Sequence, residues 1–299
     1  MIWVIGCKGM LGTELCRQLS EKHIDYVSSD CDVDITDYSA LKAFAAEKSL
    51  SFIINCAAYT AVDKAESDAE FAEKLNALGP ANIARVAKEC GAKLIHISTD
   101  YVFDGTGSVP YTEDMPVAPI GVYGATKAAG EKAVVASTEA FYILRTAWLY
   151  GWAGKNFVYT MIRAMNMRDS VKVVADQSGS PTFCGDLVGV IIKIIERAES
   201  GNPVSFGIYH VTDEGETTWF HFTQEIKKQA VELGLVTNAG CVVNSCTTAE
   251  YPTPAKRPAY SVLSKAKIQK ALDFKLPLWQ ESLSKFLNGS DFDKTRIQP

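Results

Sequence analysis

Four kinds of segment are missing from this 299-residue chain. No run of Lys or Arg occurs, and 30 basic residues face 35 acidic ones, a formal charge of −5. A mildly acidic chain without a basic stripe has no electrostatic footprint for nucleic acid. No apolar stretch approaches the roughly 20 residues of a membrane span. The longest, Val188–Ile195, is interrupted by Lys193. No C-x-x-C pair occurs among the eight cysteines, and the four histidines show no ligand spacing, so a structural zinc site is not expected. The opening residues carry neither a basic leader nor a cleavage pattern, which predicts no signal peptide and a cytoplasmic location. Reduced, partly buried thiols are expected there rather than disulfides. Hydrophobic residues make up 47% and charged residues 22%, so disorder is excluded as well.

What is present is alternation. Apolar runs at Ile2–Ile5, Tyr26–Ser29, Phe52–Asn55, Lys93–Ser98 and Phe141–Arg145 read as strands. Helical spacing separates them: Leu11, Leu15 and Leu19, then Leu41–Ala46, Ala81–Cys90 closed by Gly91, and Lys127–Val135. Ser67 and Glu70 have the spacing of a capping box. Short apolar strands alternating with helices predict an α/β fold, a doubly wound (Rossmann) parallel sheet covered on both faces. Beyond residue 150 the pattern is less regular. A strand is expected at Val171–Val174, helices at Leu187–Arg197 and Trp219–Leu233, and a strand at Ile208–Val211. Ala249–Pro258 holds three prolines and must be extended or looped, and the polar tail after Gly289 is expected to fray. The expected organisation is a dinucleotide-binding domain over 1–150, with 185–211 packing back on it. Residues 151–299 would form a smaller, mainly substrate-binding α/β domain.

Gly6, Gly9 and Gly12 follow the first strand and open the first helix. Glycines let the backbone turn tightly and approach a pyrophosphate, whose charge is favoured at a helix N-terminus. The spacing is G-x-x-G-x-x-G, and such turns also serve packing alone. Asp30 ends the second strand, where a carboxylate either accepts ribose hydroxyls or serves as an ordinary loop or capping residue. Tyr123 and Lys127, four apart, share a helical face. A lysine ammonium there favours ionisation of the phenol, although Y-x-x-x-K also occurs by chance on solvated helices. Thr99 ends the fourth strand, at the edge where open parallel sheets bind ligands. Its hydroxyl either holds a substrate carbonyl or satisfies a local turn.

Longer strings accompany these motifs: Asn55–Glu66, Ser98–Phe103, Arg145–Trp148, Asp176–Thr182 and Pro254–Pro258. Together they resemble the extended short-chain dehydrogenase/reductase family and, within it, the dTDP-4-dehydrorhamnose reductases, from Ile2 to about Phe286. The resemblance implies reduction of the 4-keto group of dTDP-4-dehydro-L-rhamnose by NADPH or NADH, the last step of dTDP-rhamnose biosynthesis. It implies a catalytic set of Thr99, Tyr123 and Lys127. Implied cofactor contacts are Gly6, Gly9, Met10, Leu11, Asp30, Asp34, Ile35, Ala57, Ala58, Tyr59 and Lys127. Implied substrate contacts are Thr99, Asp100, Tyr123 and Trp148, with Val62, Phe103 and Arg257 as neighbours. Trp148 could equally be a core aromatic and Arg257 a surface arginine. Related dehydratases carry an acid two positions after the threonine, where this chain has Tyr101, which argues for simple reduction over a dehydratase or epimerase. A further relative, the methionine adenosyltransferase beta subunit, acts as a regulatory subunit. Some relatives form dimers bridged by magnesium on acidic side chains. Here Glu14 and Asp186 would serve, but Gln280 replaces an acid, so magnesium is not expected and a monomer is favoured over a homodimer.

Overall fold

A computed structural model describes residues 1–298. Its centre is a six-stranded parallel sheet. The strands are β1 (Ile2–Ile5), β2 (Tyr26–Ser29), β3 (Phe52–Asn55), β4 (Lys93–Thr99), β5 (Phe141–Thr146) and β6 (Gly207–His210). They lie in the order β6-β5-β4-β3-β1-β2. In register, Ile2 faces both Tyr26 and Phe52, and Thr99 faces Thr146. The winding reverses between β1 and β3, and a crevice opens beyond the carboxyl ends of strands at such a point.

Side chains alternate across a strand, and β1 shows why its run is apolar throughout. Ile2 and Val4 point to one face, where helix α1 (Met10–Glu21) contributes Leu11, Leu15 and Leu19. Trp3 and Ile5 point to the other, against Leu41 of α2 (Tyr38–Ala45) and Ile83, Val86 and Ala87 of α3 (Gly79–Cys90). Helix α4 (Val122–Ser137) packs beside α3. Helix α5 (Cys184–Glu199) joins the α1 face through Val188, Ile191 and Ile195, so residues distant in sequence complete the sheet's cover.

Three local expectations differ from the structure. Ser67 makes no capping box; its hydroxyl donates to the Lys64 carbonyl, and the helix begins at Ala69. That helix runs without a break through a π-helical turn at Lys74–Leu78 into α3, which therefore starts earlier than its apolar pattern indicates. The extra residue in the turn turns Asn76 inward, where it bonds the Tyr59 backbone and the Thr126 hydroxyl. The tail does not fray either. Phe292 and Ile297 are buried in an aromatic core with Phe222, Leu283 and Phe286, and Arg296 donates to the Trp152 carbonyl. Two apolar residues in a polar stretch suffice to dock it. Helices at Ala266–Leu272 and Trp279–Asn288 complete the second half.

Gly130 lets α4 approach this π-turn. A Cβ there would stand 2.0 Å from the Asn76 carbonyl oxygen. Gly130→Ala is expected to destabilise the fold by about 1–3 kcal/mol, the usual cost of overpacking. Denaturant unfolding monitored by circular dichroism measures it; an unchanged midpoint would show that the helix pair yields freely.

Candidate active site

The glycine turn sits at the switch point. Gly6 has φ +77°, a conformation that favours glycine, and a Cβ on it would stand 2.8 Å from the Ala57 nitrogen. Gly9 is the N-cap of α1, and a Cβ on Gly12 would stand 2.1 Å from the Gly6 carbonyl oxygen. Three glycines thus perform three tasks: turn, cap and close packing. No side chain caps α1 and no acid occupies its first turn. Its first N–H groups and the positive end of its dipole therefore face the crevice. This cradle fits a dinucleotide pyrophosphate.

Across from it runs one cleft of about 960 Å³. Its wall includes Gly6, Gly9, Met10, Leu11, Asp30, Asp34, Ile35, Ala57 and Ala58 at one end. Val62, Thr99, Asp100, Tyr123, Lys127 and Trp148 line the other. Asp30 accepts from the backbone N–H groups of Lys8 (3.0 Å) and Cys31 (2.9 Å). Partial burial opposes its charge, but these bonds hold its carboxyl below the usual range. Tyr59 lies outside the wall: its hydroxyl donates to Asp68 and its N–H to Asn76.

Thr99 ends β4. Its hydroxyl donates to Asp100 Oδ1 (2.9 Å) and accepts from the Tyr101 N–H (3.2 Å). Asp100 is 1% exposed; burial pushes its carboxyl up to about 6, against hydrogen bonds from Ser261 and Thr99. Tyr123 lies in the first turn of α4, edge-on to Tyr101 with ring centroids 5.6 Å apart. Burial raises the Tyr123 phenol to about 12, opposed by the Thr99 hydroxyl and assisted by the Asp100 charge. This corrects the sequence expectation: the chain's own groups keep the phenol protonated rather than favouring its ionisation. The shift falls on the lysine instead. Lys127 is 2% exposed, its ammonium donates to the Ile97 carbonyl (2.7 Å), and burial lowers it to about 8 while Glu131 supports its charge.

Behind the lysine is a network that no short motif announces. Glu131, one turn further along α4, accepts from Arg145 Nε (2.9 Å) and Nη2 (2.7 Å) and from the Ser98 hydroxyl. Arg145 also lies over the Phe103 ring at 5.1 Å. The only signal was the i, i+4 spacing of an acid after Lys127.

Two further residues of the expected set also lie off the wall. Phe103 is a core residue stacked on Tyr111, with centroids 4.3 Å apart. Arg257 forms an ion pair with Asp63 at 2.9 Å rather than projecting free. Glu14 is held by Arg17 and Gln18, and Asp186 pairs with Lys285 at 3.1 Å. All eight cysteines are free thiols.

This geometry meets a consistent set of known proteins. The family model described as RmlD substrate binding domain matches residues 1–291. The chain is 39% identical to the dTDP-4-dehydrorhamnose reductase of Aggregatibacter actinomycetemcomitans, over 94% of this chain and 96% of the relative. It is 43% identical to a probable dTDP-4,6-dihydroxy-2-methyloxan-3-one 4-ketoreductase of Streptomyces antibioticus, over 88% and 86%. The crystal structure of dTDP-4-dehydrorhamnose reductase from Bacillus anthracis in complex with NADP superposes with a TM-score of 0.88 at 38% identity, covering 95% of this chain and 97% of that one. With a parallel sheet, a glycine cradle and near-complete alignment to these relatives, the chain belongs to the dTDP-4-dehydrorhamnose reductase family.

Proposed function

We propose that this chain reduces the 4-keto group of dTDP-4-dehydro-L-rhamnose to give dTDP-L-rhamnose, using NADPH or NADH. The observation that carries this reading is that the glycine cradle and the Thr99, Tyr123 and Lys127 side chains line one continuous cleft. The family and the NADP-bound relative support the cofactor and the reaction class.

A bound nicotinamide cofactor supplies the hydride. The protein supplies orientation and a proton. The first N–H groups of α1 receive the pyrophosphate, and Asp30 takes the adenosine ribose. Thr99 turns its hydroxyl proton, held by Asp100 in the free chain, to the keto oxygen. Tyr123, protonated at neutral pH, gives its phenolic proton to that oxygen as it becomes an alcohol. The Lys127 ammonium, one turn along the same helix, offsets the phenolate charge until solvent returns the proton. Tyr101 offers a phenol that burial keeps neutral, not a carboxylate for water elimination, which favours reduction over dehydration. The Streptomyces antibioticus relative is named as a 4-ketoreductase of a different dTDP sugar, so the same chemistry on a neighbouring substrate is the second reading.

Cofactor oxidation upon addition of dTDP-4-dehydrorhamnose tests the assignment. Turnover of dTDP-glucose instead would favour a dehydratase, and no cofactor consumption would favour a regulatory role. Tyr123→Phe keeps the ring and removes the proton, so kcat should fall about 10²–10⁴-fold with little change in cofactor affinity. Near-normal turnover would place the proton elsewhere.

Lys127 is charged below its shifted value of about 8 and loses that charge above it. The pH profile of kcat/KM should therefore fall through an alkaline limb near 8. Glu131 opposes the downward shift, so Glu131→Gln should move the limb to lower pH; an unmoved limb would assign it to another group. Asp30→Ala should raise the ratio of NADPH to NADH kcat/KM, because a carboxylate at the ribose repels a 2′-phosphate. An unchanged ratio would remove Asp30 from the ribose site.

A further inference from the structure

Trp148 has a φ of +47°. For a bulky side chain this is a true outlier, and it persists only where the surroundings over-determine it. Those surroundings are visible. The Trp148 indole lies flat on that of Trp219, with centroids 3.6 Å apart and planes 9° from parallel. On another side a Cβ on Gly179 would stand 2.5 Å from Trp148 Cε2, so only a bare backbone fits there. Trp219 in turn is backed by Phe157 at 4.5 Å and fixed at the start of its helix, whose cap is Thr218. The Thr182 N–H holds the Trp148 carbonyl at 3.3 Å. Trp148 itself lines the cleft beside Thr99, Tyr123 and Thr146, whereas Trp219 and Gly179 are off its wall. A strained residue clamped from behind and open to the reacting end of a cleft is a preorganised surface.

We infer that Trp219 and Gly179 are positioning residues that hold the Trp148 indole as a rigid apolar wall for the hexose of the nucleotide sugar. This rests on the reductase reading above. A 6-deoxy sugar presents C–H groups and a methyl, which the part of the indole left open to the cleft covers without stripping water from a hydroxyl. The wall thereby sets the depth at which the keto carbon meets Thr99 and Tyr123.

The test compares Trp219→Leu, Trp219→Phe and Gly179→Ala with the wild type. Three quantities are read: kcat/KM for dTDP-4-dehydrorhamnose, NADPH affinity, and the circular-dichroism couplet that two stacked indoles produce. In Trp219→Leu the couplet should vanish and kcat/KM fall about tenfold or more, since small misplacements at a reacting centre are costly. NADPH affinity should stay within about twofold of wild type, which also shows that the variant is folded. Gly179→Ala, which pushes on the indole without touching the cleft, should lower kcat/KM in the same way. Trp219→Phe loses the couplet but keeps a flat support and should recover most of the efficiency. If Trp219→Leu binds NADPH normally and keeps kcat/KM within about twofold, the inference is wrong. Should Trp219→Leu fail to fold, the Gly179→Ala result decides in the same terms. A wild type showing the couplet but no turnover of this sugar would sink the reductase reading, and the hexose assignment with it. A wild type lacking the couplet while turning over sugar would sink the positioning claim alone.

Discussion

Much of the site hangs on one buried carboxylate. Glu131 is 4% exposed and joins α4 to Ser98 on β4 and Arg145 on β5. Isolated, a charge at this depth would be intolerable; met by a guanidinium fork and a hydroxyl, it becomes a rivet between three elements. Tyr123 and Lys127 lie on that helix, and Thr99 follows Ser98 on that strand. The distances among the three depend on where α4 lies over the sheet, and Glu131 is a polar contact that fixes this. The same negative charge keeps the lysine from losing its proton altogether in a dry environment.

At the glycine cradle the constraint is steric. The turn after β1 passes so close to Ala57 and to its own helix that side chains are excluded at Gly6 and Gly12. Bare backbone is what allows a phosphate to approach amide groups there. One end of the cleft is thus organised by missing atoms and the other by buried charge, and the switch in strand order brings them together.

The sheet was legible because its central strands are buried on both faces, so β1 and β3 read as apolar runs with glycine or polar residues at their ends. β1, β2 and β3 match their expected limits, and Gly91 closes α3 with a left-handed φ of +71°. The π-turn was illegible: one extra residue in a helix leaves no compositional mark, and Asn76 looks like any polar surface residue until it meets Tyr59 and Thr126. Tyr123 and Lys127 could be read from spacing, but the direction of their proton equilibria could not, because burial dominates both and sequence does not report it. Phe103 and Arg257 sit in informative strings yet face the core and Asp63. A string identifies a neighbourhood; orientation within it is a matter of packing. The Trp148–Trp219 contact joins residues 71 apart that no local pattern links.

The sheet's last strand has a consequence for how the chain acquires its shape. β6 pairs with β5 but lies more than 60 residues after it, and α5 covers the α1 face from the same stretch. During vectorial synthesis the first five strands emerge with the β5 edge unpaired and the α1 face only partly covered. Unpaired edges and apolar faces are where chains stick to one another. The intervening segment must also wait, because its aromatic core draws on Phe222, Leu283 and Phe286 from later still. The two halves therefore close late and nearly together, although the cleft is walled by the first half alone, from Ile5 to Leu149.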